Sequence, residues 1–181
     1  MTPRMSRAPG RAADRMREAR RGTAYFSRIL DSLSDEHLAE EISPTGERTA
    51  AIAARVALHA RVCAEALEAA RMGTVYTPLA ARFDAASIRF TSTLSPDALR
   101  NLHAHSVVHL NVEWRDLPPQ LWTKAISTGG DSARSPLVLV EERRRLIWTS
   151  AAAIDPLRRL EPLPDDVRRI ARIASVSIRT V

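Results

Sequence analysis

Between Arg48 and Met72 the chain contains neither proline nor glycine, and its apolar residues recur at the spacing of a helix packed into a core. Gly73 follows at once and can adopt the left-handed conformation that ends a helix. One residue breaks the pattern. In "AARVALHARVCAEALEAARMG", Arg55 falls among the inward positions, where a guanidinium is costly unless it meets a carboxylate, solvent or an anionic ligand.

Helix signals recur on either side of this segment. A first helix is predicted from near Arg11 to about Leu33, with Ala13, Met16, Ala19, Phe26, Ile29, Leu30 and Leu33 inward. Ser34 can cap a short helix through "DEHLAEEI", and "SPTGE" reads as a turn. "TVYTPLAARFDAASIRFTSTL" is irregular, with one short helix around Leu79 to Ile88. Ser95-Pro96 and Ser135-Pro136 each pair a capping residue with proline at the first helical position. They open a third long helix to about Arg115 and a fourth to about Ile154. Between these two, "WTKAIS" reads as extended and "TGGDSARS" as a loop. "LPDDVRRIARIASVSI" is a last helix with acids first and arginines later, matching the helix dipole. The class is all-α: an up-down four-helix bundle with an extra C-terminal helix. Residues 1–10 form a basic tail and residues 11–181 a single domain.

Composition closes off several functions. Cys63 is the only cysteine, which excludes an intrachain disulfide and any CxxC redox or zinc site. No apolar run reaches the roughly 18 residues of a membrane span, and no apolar stretch follows the basic N-terminus as in a secretory signal. A cytoplasmic protein with no membrane partner is expected. The formal net charge is +6, carried almost wholly by arginine, with Lys124 the lone lysine. The basic start, "MTPRMSRAPGRAADRMREARRG", fits a solvated tail and helix face. It could also touch nucleic acid, but lack of aromatic interleaving and of a helix-turn-helix signal argues against that.

"RTAAIAARVALHARVCAEALEAARMG" resembles the second helix of the mycothiol-dependent maleylpyruvate isomerase N-terminal family, in the DinB-like superfamily. "SPDALR", "LPPQLW", a glycine-containing loop and "RRRLIWTSAAAID" follow in the family's order, from about Arg11 to about Ile173. The resemblance implies a DinB-like bundle. It also implies a divalent metal held by one histidine on the second helix and a Glu-x-x-x-His pair on the fourth. Here those places fall on Arg55, Leu146 and Ser150; a one-residue shift on the fourth helix substitutes Arg145 and Thr149. None of these can replace imidazole and carboxylate as ligands, so no metal is expected. Family members carry a further C-terminal domain, whereas this sequence ends at Val181, so maleylpyruvate isomerisation itself is not expected.

Other residues could still do chemistry. His59 lies one turn beyond Arg55 and is the candidate acid or base. His105, His109 and Glu113 follow at four-residue spacing, and two of them could share an ion while all three could not. Cys63 shares a side with His59, as a small core residue or a thiol. Tyr76, Trp122 and Trp148, with His109, Glu113, Leu146 and Ser150, could line a substrate pocket or serve as ordinary core.

Three classes follow. The first is a metal-independent enzyme of secondary metabolism, performing an isomerase-, transferase- or cyclase-like step on an anionic substrate held by Arg55. No cofactor is required, though mycothiol or another small thiol is possible by resemblance. The second is a non-catalytic binding or self-protection protein. The third is an interaction module using the basic N-terminus. A homodimer is compatible with each. Deleting Met1 to Gly10 is expected to leave the melting temperature nearly unchanged, because "MTPRMSRAPG" offers little to bury; a thermal melt of the truncated chain measures this.

Overall fold

The computed structural model describes residues 10–42, 46–76, 83–128, 133–155 and 164–165. Six helices lie within them. They are α1 (Gly10–Ser32), α2 (Asp35–Ala39), α3 (Thr49–Met72), α4 (Ala85–Thr91), α5 (Pro96–Asp116) and α6 (Pro136–Ile154). A pairing of Glu41–Ile42 (β1) with Glu47–Arg48 (β2) joins α2 to α3. Among the described residues, no helix is long and apolar enough to cross a membrane. The expected tail and the expected last helix lie almost entirely outside these residues.

Local chemistry accounts for the element ends. Ser34 Oγ accepts from the His37 amide at 3.3 Å to start α2, and Ser95 Oγ accepts from that of Ala98 at 3.3 Å to start α5. Ser135 also precedes a helix, but its side chain makes no capping bond. Gly73 closes α3 at φ +68°. The short helix α4 begins later than expected because Asp84 caps it, accepting from the Ser87 amide at 2.7 Å. The predicted stretch from Leu79 falls partly on undescribed residues. Ile126 and Arg134 exchange two backbone bonds of 2.9 Å, so the extended stretch expected over "WTKAIS" is confined to its end, Trp122 to Lys124 forming a turn.

Side-chain contacts reveal helix direction. Glu18 with Arg144, and Tyr25 with Asp155, align α1 and α6 in parallel. Arg71 with Glu113, and Ala54 packed near Leu99, do the same for α3 and α5. Ser27 with His103, and Arg20 with Asn111, run α1 against α5. The bundle therefore runs up, down, down, up. The long connection carrying α4 returns the chain to the starting end before α5 begins, a detail that refines the up-down expectation.

The core lies between these helices. Met16, Ala19, Phe26, Ile29, Leu30 and Leu33 are buried as expected, while Ala12 takes the inner place in preference to the half-buried Ala13. The helix α3 is buried on most of its circumference through alanines, which lets α5, α6 and α4 approach it together. The closest seam is α1 against α6. A Cβ on Gly22 would lie 2.8 Å from Ile147 Cγ2 and 2.9 Å from Trp148. Gly22→Ala is therefore expected to destabilise the fold by about 1–3 kcal/mol through overpacking, despite alanine's better helix propensity. Urea denaturation of the variant measures the sign and size.

Candidate functional site

Arg55 points away from the bundle axis. Its side chain keeps 31 % exposure, and its Nη2 forms an ion pair with Glu47 Oε1, at the end of β2. Partial burial lowers the guanidinium pKa from its ordinary value. Together these residues help line a cleft of about 700 Å³ between the start of α3 and α4. Ala51, Phe83, Ala85 and Ile88 give it apolar walls, and Arg48 and Arg89 add two further guanidiniums. Neither Arg48 nor Arg89 pairs with a carboxylate among the described residues. Of the residues considered for a substrate pocket, Leu146, Ser150 and His59 do not line this cleft. Arg55 is one residue out of phase with the buried Val56, so it leaves the bundle where Val56 enters it.

His59 sits behind the cleft wall. Its ring meets Phe83 edge-on at 5.2 Å, and its Nδ1 lies 3.6 Å from Cys63 Sγ. Burial, aided by the nearby Arg143 guanidinium, lowers the His59 pKa to about 3. Burial pushes the Cys63 thiol up to about 12. Both are therefore neutral near pH 7, and the imidazole is a poor base there. This argues against the acid–base role considered for His59 and makes Cys63 a buried core thiol.

Two residues that the sequence analysis did not single out complete this interior group. His103 accepts or donates at Nε2 with Ser27 Oγ, 2.8 Å away, and packs on Phe26. Burial, with Arg143 nearby, holds its pKa down to about 3 as well. Arg143 is 1 % exposed and donates from Nη1 to the Val56 carbonyl at 2.6 Å. The heptad-like spacing Leu99, His103, Ser106, Leu110 and Glu113 marks the inner face of α5, and His105 lies off it, exposed.

The remaining candidates are dispersed. Tyr76 is buried and donates to Glu65 at 3.4 Å. Trp122 is fully buried, and Trp148 donates Nε1 to the Glu18 carbonyl at 3.0 Å while stacking on Tyr25. Leu146 packs against the Phe26 cluster, and Ser150 is buried nearby on α6. Glu113 does not reach Arg55. It is held side-on by Arg71 at 2.9 and 3.1 Å, with His109 4.0 Å away. His109 also approaches Glu68 at 3.4 Å, so Glu68, His109 and Glu113 present ligand atoms within 4.8 Å of one another.

The sequence profile of the mycothiol maleylpyruvate isomerase N-terminal domain matches residues 19–146. The chain belongs to that family. Two crystal structures of mycothiol-dependent maleylpyruvate isomerase, one of them a histidine-to-alanine mutant, superpose on it with a TM-score of 0.75. They are 28 % and 26 % identical, over 91 % of this chain and 69 % of theirs. Among curated proteins, none matches. The fold is thus the DinB-like bundle of the maleylpyruvate isomerases. At the three places where the family resemblance put metal ligands, this member has Arg55 engaged by Glu47, the apolar Leu146 and the hydroxyl of Ser150. In the shifted register, Arg145 pairs with Glu141, and Thr149 bonds to the Arg145 and Leu146 carbonyls. This donor set does not fit a divalent metal.

The buried imidazoles carry a pH signature. The unfolded chain protonates them around the ordinary value of 6.5, whereas the folded chain does so only near 3. Between these limits the unfolded state binds more protons, so stability rises with pH and falls on acidification. The loss is expected to be on the order of 1 kcal/mol per pH unit for each histidine. Urea midpoints measured from about pH 6.5 down to about pH 5 test this, above the carboxylate range. His59→Gln or His103→Gln should flatten the slope, and a flat wild-type profile would contradict it.

Proposed function

We propose that this family member handles an anionic small molecule in the cleft beside Arg55, without a metal at the family positions. The observation that carries the reading is the cleft itself. It joins three guanidiniums, against the two carboxylates of Glu47 and Asp84, to an apolar wall in a volume within the roughly 300–1,000 Å³ of small-molecule sites. Arg55 is oriented by Glu47, while Arg48 and Arg89 have no such pairing among the described residues, so a carboxylate or phosphate can gain charge-assisted bonds there. The apolar wall suits a ligand with a hydrophobic body. Family membership supports an enzyme, with an isomerase- or transferase-like step and mycothiol as a possible thiol co-substrate. In this reading Arg55 stabilises substrate charge, and the thiol, not Cys63, is the nucleophile.

A second reading is binding without turnover, in a carrier or self-protection role. It is favoured by the neutral, enclosed state of His59 and Cys63, which leaves the cleft without a side chain titrating near neutrality among those described. Calorimetric titration with a panel of aryl and alkyl carboxylates and phosphates separates the readings from each other when turnover is followed with and without mycothiol. Arg55→Met is expected to abolish binding while changing stability by less than about 1 kcal/mol, since its ion pair is partly exposed. Arg48→Ala and Arg89→Ala should each weaken binding by up to about fivefold. Full binding by Arg55→Met would end the cleft proposal.

Elemental analysis of protein purified without chelators is expected to find no stoichiometric zinc, nickel or iron. One metal per chain, lost in His109→Ala, would locate it at Glu68, His109 and Glu113 and defeat the metal-free reading.

A further inference from the structure

We propose that the Nε/Nη2 edge of Arg143 is a receptor for a small carboxylate inside the bundle, a site separate from the cleft at Arg55. Arg143 leaves α6 with its head enclosed, and Nη1 donates to the Val56 carbonyl of α3 at 2.6 Å. That bond fixes the plane and direction of the guanidinium. Its Nε and Nη2 are buried and have no hydrogen-bond partner among the described residues. These are the two donors whose N–H vectors run side by side, the fork that matches the two oxygens of a carboxylate.

The same edge is used repeatedly in this molecule. Arg71 offers Nε and Nη2 to Glu113 at 2.9 and 3.1 Å, and Arg115 offers them to Asp116 at 2.7 and 2.9 Å. Arg144 offers them to Glu141 at 3.0 and 2.7 Å. Arg143 is as deeply buried as Arg144, yet the described residues supply it with no acid. Its surroundings cannot substitute for one. His59 and Cys63 from α3 and His103 from α5 are neutral, and His103 Nδ1 is a second buried polar atom without a protein partner. A buried cation in such company is stabilised most by an anion that accepts two parallel bonds, and a planar carboxylate of formate or acetate size does so.

The test uses the full chain labelled with ¹⁵N-arginine and titrated with sodium formate at constant ionic strength. The Arg143 Nε–H resonance, identified by its loss in Arg143→Lys, should move saturably, and the melting temperature should rise with formate. Arg143→Met should abolish the thermal response, whereas Arg55→Met should retain it, so failure of the cleft reading leaves this one standing. An unmoved or merely linearly drifting Nε–H resonance would overturn the proposal, as would an equal thermal response in Arg143→Met. So would an equal saturable shift with chloride, which cannot span the fork. If Arg143→Met does not fold, the wild-type resonance decides alone.

Discussion

Two neighbouring guanidiniums on α6 fix how that helix meets the others, and they reach in different directions. Arg144 reaches α1, where Glu18 accepts at 3.2 Å, while Glu141 on its own helix completes its coordination. Arg143 reaches α3 through the Val56 carbonyl. Because α1 pairs mainly with α6 and α3 with α5, these contacts connect two parallel helix pairs through one helix. Burying Arg144 is tolerable because carboxylates accept from all three of its nitrogens. Burying Arg143 against a single carbonyl is the most expensive choice in the interior.

That choice shapes the chemistry available. Burial holds both nearby imidazoles neutral, and repulsion from the Arg143 cation adds to it. The centre of the bundle is thus positive and poor in proton acceptors. The cleft beside Arg55 lies on the far side of Phe83 and His59 from this centre. The guanidiniums of the cleft are partly solvated, whereas that of Arg143 is enclosed.

Much of the site was hidden in the sequence for a physical reason. Arg55 stood out because it interrupts an apolar stripe, but whether it turned inward or outward depended on a phase difference of one residue from Val56. Arg143 and Arg144 were masked by their neighbour: "RRR" reads as a solvated charge run, although Val140 and Ile147 share their face. His103 was overlooked in favour of His105, though the spacing Leu99, His103, Ser106 carries the first inward. The partner of Glu113 was equally hidden: α5 lies parallel to α3, and that alignment puts it beside Arg71.

Helix number, helix ends and class were decided locally, by Ser95, Gly73 and the prolines at 96 and 136, because caps and breakers act within a turn of themselves. Family membership was legible for the same reason, since ordered helix motifs survive at modest identity. Only the tertiary structure decided the up, down, down, up order, the Gly22 seam, and which charges found partners. Ion pairing joins residues far apart in sequence, as with Arg71 and Glu113 or Arg144 and Glu18, and its outcome depends on helix direction and depth. Those quantities arise when the helices pack, and no spacing along the chain encodes them.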